Sequence, residues 1–370
     1  MRVLLFGTYD LLSHPRVGVL AEGLRGNNAS VSECNEPLGI DTGGRVAILR
    51  QPWRLPMLAV RIARCWLKLA RRARRLPPPD VVLVGYLGHF DVLLARRLFP
   101  RTPIVLDHLI SAADTALDRG EGGGVKQRLL TALDAAALRS ADVVVVDTEE
   151  HRRLLPADFR DQAVVVPVGA PDAWFAAAQP GPNRPAGPLR AVFFGLFTPL
   201  QGGPVIGRAL ADLVDEPVEV TMIGHGQDLE RTAAAAAGNN RVTWLDWVPA
   251  AELPKLVADH DVCLGVFGAG PKALRVVPNK VFQGAAAGCA VVTSDSPPQR
   301  RMLGDAAVLI PPGDPAALAA ALRRLAADRD AVSKLRRAAG NLARERFAAN
   351  QVVRPLLDRL GAPATQEEIT

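Results

Sequence analysis

Cysteine, tyrosine and long apolar runs are all scarce in this chain, and each scarcity removes a class of protein. The four cysteines stand at positions 34, 65, 263 and 289, no two close in sequence. That excludes a CxxC zinc or redox site and argues against a disulfide framework, so a reducing cytosol is the expected compartment. No run of 18 apolar residues occurs, so no membrane-spanning helix is predicted. The opening Met1–Phe6 holds only a short apolar run, Val3–Phe6, before it turns at Gly7, which reads as a first strand and not as a signal peptide. Aromatic residues make up 5% and no nucleic-acid recognition motif is visible, so nucleic acid is not an expected partner. Acidic residues are missing from Thr42 to Pro79, a stretch that carries ten of the basic ones.

What is present is a repeated alternation. Apolar runs of strand length fall at Val3–Phe6, Ala29–Glu33, Val46–Leu49, Val81–Val84, Ile104–Leu106, Val143–Val146 and Val164–Val166. Helical patterns at Pro15–Arg25, Phe90–Leu98 and Lys126–Leu138 lie among them. Continuous Val/Leu runs mark strands covered on both faces, as in parallel α/β sheets. The segment Ala170–Pro188 holds five prolines and reads as a linker, because proline removes backbone donors and fixes φ. Beyond it the rhythm restarts, with strands at Ala191–Phe194, Val218–Ile223, Val242–Leu245, Val262–Val266, Ala290–Thr293 and Ala307–Ile310. A helical tail runs from Pro315 to about Leu360, and the last dozen residues read as disordered. We therefore expect a domain over 1–170, a linker over 171–188, a second domain over 189–348, and a C-terminal helix and tail over 349–370. Ligands of such sheets bind outside the carboxyl ends of the strands, so the functional residues are expected in the turns facing a cleft.

The turn after Val262–Val266 is the richest. Gly268 and Gly270 allow close backbone approach, and Lys272, Arg275 and Lys280 follow with no acid between them. Pro278 sits where a helix would start, and a helix beginning there directs N–H groups and partial positive charge at a ligand. That suits a diphosphate; the plainer alternative is a solvated basic loop.

The run Pro278-Asn279-Lys280-Val281-Phe282-Gln283, followed by a small-residue helix, a glycine and Val291-Val292, resembles the donor-site signature of retaining family 4 (group 1) glycosyltransferases. It reads PNKxxQ where many members read PNKxxE. Ala191–Gly203 resembles the strand and glycine loop opening the donor domain of that family. Met222–Gly226 resembles its IGxG turn, and Trp244–Pro249 with Leu253-Pro254 its strand-then-helix segment. The resemblance implies a GT-B fold of two Rossmann-like domains, with parallel sheets facing across a cleft and the C-terminal helix returning to the N-terminal domain. It implies a nucleotide-sugar donor and transfer to an acceptor hydroxyl, with no metal and no cofactor. The donor contacts it implies are Gly195, Thr198, Gly224, Gly226, Lys272, Asn279 and Gln283, with Gly7 and Arg16 from the first domain. Gln283 stands where an acidic residue usually holds the ribose, and an amide can make the same bonds. Leu196 and Gln201 stand where many members carry phosphate-binding cations, so Lys280, Arg275 and Lys272 must supply the charge. His108 resembles the strand-end histidine that lies near the transferred sugar. His89, Ser111, Asp114 and Asp118, on a stretch ending at Gly122-Gly123-Gly124, read as further cleft or acceptor-side candidates.

From Leu55 to Leu76 the residues Leu55, Leu58, Ile62, Trp66, Leu69 and Ala73 recur at helical spacing, with Arg61, Arg64, Lys68, Arg71 and Arg75 on another face. This suits either an anionic membrane surface or a core-facing helix with a solvated basic side. We expect a cytoplasmic protein, peripheral to the inner face of the membrane, with a lipid-linked, glycan or small-molecule acceptor. Three other readings compete. A GT-B epimerase would need acid/base carboxylates that cannot be assigned. A dehydrogenase would need GxGxxG after a strand, which is absent. A non-catalytic partner subunit is kept open by Leu196, Gln201 and Gln283. Asp259-His260-Asp261 has Asp-x-Asp spacing, but it falls where a helix gives way to a buried strand.

Overall fold

The computed structural model describes residues 1–10, 15–39, 53, 55–86, 88–109, 111–118, 124–178 and 187–361. The expected strand Val46–Leu49, His14, Gly122, Gly123, residues 179–186 of the expected linker and residues 362–370 of the tail lie outside them.

Strands form where β-branched residues cluster. Val143–Val146 is four valines, all buried, which fits a strand sandwiched between helices. The first sheet holds β1 (Arg2–Gly7), β2 (Ser30–Asn35), β3 (Val81–Val84), β4 (Ile104–Asp107), β5 (Val143–Val146) and β6 (Ala163–Val165). Its order is β2-β1-β3-β4-β5-β6, every pair parallel. Phe6 pairs in register with Cys34 on one side and Val84 on the other. Around it lie α1 (Pro15–Gly26), α2 (Leu55–Ala73), α3 (Asp91–Leu98), α4 (Ala112–Asp118), α5 (Gly124–Arg139) and α6 (Glu149–Leu154).

The segment expected as linker begins with a helix instead, α7 (Asp172–Ala177). Trp174 explains it: the indole is buried and stacks on Phe194 at 5.4 Å, so the second core captures this turn despite the prolines around it. The second sheet holds β7 (Leu189–Phe194), β8 (Val218–Ile223), β9 (Val242–Leu245), β10 (Val262–Leu264), β11 (Ala290–Ser294) and β12 (Ala307–Ile310). Its order is β12-β11-β10-β7-β8-β9, again all parallel. The helices are α8 (Gly203–Ala211), α9 (Leu229–Ala235), α10 (Leu253–Ala258), α11 (Asn279–Ala286), α12 (Pro297–Leu303), α13 (Pro315–Ala327), α14 (Arg329–Arg346) and α15 (Ala349–Val352). Asp314 and Asp328 start α13 and α14 by accepting from Ala317 N and Ala331 N, both at 2.9 Å.

Contacts divide the chain into two compact units, one of Met1–Pro167 with the chain from Val352, the other of Val168–Gln351. The last helix, α16 (Arg354–Arg359), therefore returns to the first sheet, where Arg359 donates to Asp161 O at 2.9 Å. Each unit has its own core. Leu4, Phe6, Val82, Ile104 and Val144 centre the first, and Phe193, Phe197, Leu264, Phe267 and Leu322 the second. Each such side chain removed from water contributes about 1.5–3 kcal/mol.

In both sheets the strand order reverses beside the first strand, between β1 and β3 and between β7 and β10. The turns after those strands are where a doubly wound sheet offers a ligand site. Helix α2 shows which face of the basic helix meets the core. Leu69 and Ala73 are buried, and Trp66 Nε1 donates to Asp91 at 3.0 Å. The apolar face seen in the sequence is thus the core-facing one. A different line, Met57, Val60 and Leu67, is half exposed or more. Among the described residues no helix is long and apolar enough to cross a membrane.

Candidate functional site

The carboxyl ends of β7, β8 and β10 form one interlocked rim in the second unit. Gly195 ends β7 at φ +125°, and Gly224 ends β8 at φ +124°. A Cβ on Gly224 would lie 2.0 Å from Gly195 O, so only glycine permits the two turns to touch. Gly226 lies against Phe197 in the same way, and Phe197 N donates to His225 O at 2.8 Å. Phe267 N donates to Gln201 O at 3.0 Å, which ties the loop after β10 to the turn after β7. Helix α11 then packs so closely on β10 that a Cβ on Gly284 would meet Cys263 Sγ at 2.4 Å. This is the physical reason for its small-residue sequence.

Lys280 lies in the first turn of α11 and is buried. Its ammonium donates to Gln201 Oε1 at 2.7 Å and sits 3.5 Å from the centroid of the Phe193 ring. It is also 3.5 Å from where a Cβ of Gly195 would stand. Among the described residues no carboxylate pairs with it. Burial without an anion disfavours the charged form and pushes Lys280 down to about 7. This side chain holds a charge that an anion beside it would stabilise.

The first unit's rim is built differently. Asp91, at the start of α3, accepts from Thr8 N and Thr8 Oγ1, both at 2.8 Å, and so fixes the turn after Gly7. Arg16 is 2% exposed. Its guanidinium donates to Asp107 Oδ1 at 2.8 Å, Pro167 O at 3.1 Å and Val166 O at 3.0 Å. Burial raises the Asp107 carboxyl against the opposing pull of Arg16. Next along β4, His108 is buried, and its ring meets His89 edge-on at 5.3 Å. His89 Nε2 lies 3.2 Å from Asp134 Oδ1, within ion-pair reach though off hydrogen-bond alignment. Burial, then the charge of His89, push His108 down to about 3, so its imidazole is neutral. His108 Nδ1 is buried without a hydrogen-bond partner, which typically costs about 1–3 kcal/mol.

Residues 15–169 match a family model for a glycosyl transferase 4-like domain. Residues 188–328 match a model for glycosyl transferases group 1. Each half of the chain thus carries its own glycosyltransferase signature. The chain is a GT-B glycosyltransferase. Solved structures agree on the fold. Sucrose-phosphate synthase from Thermosynechococcus elongatus is similar at 14% identity and TM-score 0.72, over 98% of this chain and 99% of that one. Anabaena HepE in complex with UDP-glucose is similar at 14% identity and TM-score 0.65, over 98% and 100%. The trehalose-6-phosphate protein of E. coli bound with UDP-2-fluoro glucose is similar at 13% identity and TM-score 0.67, over 98% and 100%. No curated protein matches the chain in sequence.

Within this glycosyltransferase, the residues singled out from the sequence divide in two. Gly195, Gly224, Gly226 and Lys280 converge at one rim. Thr198 opens the short turn Pro199–Gln201 beside them, while Asn279 and Gln283 sit on α11. Lys272 and Arg275 bracket the short helical turn Ala273–Arg275, where Arg275 Nε donates to Pro271 O at 3.0 Å in its own loop. Arg16 is a correction. It is neither presented to a phosphate nor an exposed helix-end charge, because three internal acceptors use its guanidinium. Asp261 of the Asp-x-Asp run accepts from Arg190 N at 3.0 Å and Arg329 at 3.2 Å, which engages it inside its own unit. Gln201, read from sequence as a missing cation, proves to be the amide that holds the buried one. Asp134 and Asp91 gave no motif; an acid within an amphipathic helix is indistinguishable from a solvated one until the fold buries it.

Proposed function

We propose that this glycosyltransferase takes a nucleotide-diphosphate sugar and transfers the sugar, with retention, to an acceptor hydroxyl without a metal. The observation that carries the reading is Lys280, a buried ammonium beside the Gly195 turn with an amide and a ring as partners. A diphosphate there would supply the anion. In this reading residues 189–348 hold the donor, Lys280 meets its phosphates with Lys272 and Arg275 contributing charge, and Asn279 and Gln283 face the ribose. Residues 1–170 hold the acceptor, with His108 beside the transferred sugar. Charge builds on the leaving phosphate as the sugar becomes oxocarbenium-like, and cations already aimed at that oxygen lower the barrier. The leaving phosphate can take the acceptor proton on the same face, so no separate protein base is required.

A panel of UDP, GDP and ADP in a thermal-shift assay tests this, since a ligand that binds only the folded state raises its melting point. UDP is the first probe, because HepE and the E. coli protein were solved with UDP-sugars. A melting point indifferent to every nucleoside diphosphate would reject the donor assignment.

The acceptor reading includes a lipid surface. Met57, Val60 and Leu67 lie exposed on α2, with the exposed Arg64 and Arg71 in the same line, an arrangement suited to anionic headgroups. Flotation with phosphatidylglycerol vesicles should be lost in Met57/Val60/Leu67→Ser and weakened by salt. Equal flotation of that variant would remove the membrane face.

A further inference from the structure

Three of the chain's six histidines gather where β3, β4 and β5 end: His89, His108 and His151. Each outer one has its own carboxylate. His151 Nδ1 lies 2.5 Å from Asp147 Oδ1, and His89 Nε2 lies 3.2 Å from Asp134 Oδ1. His108 has none. Asp134 does more than face His89. It accepts from Ser111 Oγ at 2.6 Å, Ala112 N at 3.0 Å and Ala113 N at 3.1 Å, which are the first residues of α4 and the one before it. One carboxylate on α5 therefore binds the start of α4 and one end of the histidine pair.

We propose that Asp134 and His89 are positioning residues for His108, holding its ring and the Ser111–Asp118 segment in one arrangement at the site of sugar transfer. This rests on the transferase reading above. The chemistry is as follows. A carboxylate only accepts, so Nε2, 3.2 Å from Asp134 Oδ1, is the His89 nitrogen on which a hydrogen would serve that pair. Asp134 is held down to about 2: burial works against it, but His89, Ser111 and the Ala113 N–H outweigh burial, so the carboxylate stays charged. Two rings 5.3 Å apart cannot both hold a proton charge cheaply. Asp134 stands at His89 and not at His108, and burial, with His89 and His151 as neighbours, holds His108 below the usual imidazole range. Asp107, the neighbour of His108 on β4, turns its Oδ1 to Arg16 and makes no hydrogen bond to His108. His108 thus remains a neutral imidazole, able to donate and to accept at a sugar hydroxyl. A positive ring there would oppose the positive charge that develops on the sugar.

The test is made first on full-length wild-type protein with 15N-labelled histidine and no substrate. Long-range 1H–15N spectra are followed across pH 4.5–8.5, with each ring assigned from a His→Gln variant. The expected result is a neutral His108 throughout and an Nε2-protonated His89. A His108 that is cationic at pH 6 overturns the proposal. In His89→Gln, His108 should titrate about one pH unit higher, read as the onset of its protonation at the acid end of that range, where the wild-type ring stays neutral. The same variant should hydrolyse UDP-glucose with kcat lowered about tenfold and KM unchanged, more so at low pH. Asp134→Asn should lower kcat similarly, whereas Asp134→Glu should restore part of it. An unmoved His108 titration, or a change confined to KM, overturns the positioning role. UDP calorimetry on the wild type separates the two claims: no UDP binding fails the donor reading, whatever the histidine spectra give.

Discussion

The two rims differ in how they treat buried charge. In the first unit the buried Arg16 has a carboxylate, Asp107, and the rings of His89 and His151 each face one, Asp134 and Asp147. In the second, Lys280 is equally buried but has an amide and an aromatic face. A compensated charge contributes to fold and orientation. An uncompensated one keeps its field available for something else, at a cost in stability. The contrast supports the anion contact proposed at Lys280.

The comparison can be broken most directly at Arg16. Arg16→Leu leaves Asp107 buried and unpaired, and should cost about 3–5 kcal/mol of stability by chemical denaturation, with UDP affinity unchanged in the protein that remains folded. A stable Arg16→Leu protein that has lost UDP affinity would reverse our placement of this residue. Lys280→Ala should lower turnover of UDP-glucose by two orders of magnitude or more, about 3 kcal/mol, with the circular dichroism spectrum retained. Unchanged kcat there would remove Lys280 as the phosphate anchor.

Acidity gives a finer separation. Lys280 has a folded value of about 7 against 10.5 for an unperturbed lysine, so between those values the unfolded chain holds more protons. Stability should therefore rise with pH from about 7 to 10.5 on this account, and fully protonated protein below 7 carries the whole penalty. Lys280→Met should flatten that rise; an identical slope in the variant would mean that Lys280 is solvated. Nucleotide binding runs the other way and should strengthen as pH falls through 7. The smallest expected effect makes the second rim imitate the first. Gln201→Glu would set a carboxylate at the ammonium, raising the melting point while weakening UDP by about tenfold, or 1.4 kcal/mol. Tighter UDP binding in that variant would contradict the anion argument.

Much of this was legible before folding. The Val/Leu runs gave nearly every described strand to within a few residues, because strands covered on both faces leave no polar alternation to confuse. The PNKxxQ run and the glycine turns were readable because close backbone approach demands those residue types at fixed spacing. Arg16 was misread because a basic residue opening a helix looks the same whether it faces water or a buried aspartate 91 positions away. Helix α2 was ambiguous for a similar reason: it has apolar residues on two faces, and spacing alone cannot say which one the sheet covers. The helix at Asp172–Ala177 was hidden by the prolines that flank it.

The sequence by itself determined the two α/β halves, the glycine turns and the cation at Lys280, since these follow from local periodicity and backbone sterics. Only tertiary structure decided which charges are spent and which are kept. Pairings such as Arg16–Asp107, His89–Asp134 and Lys280–Gln201 join residues 45 to 91 positions apart. Desolvation of a charge depends on what the remote chain brings against it.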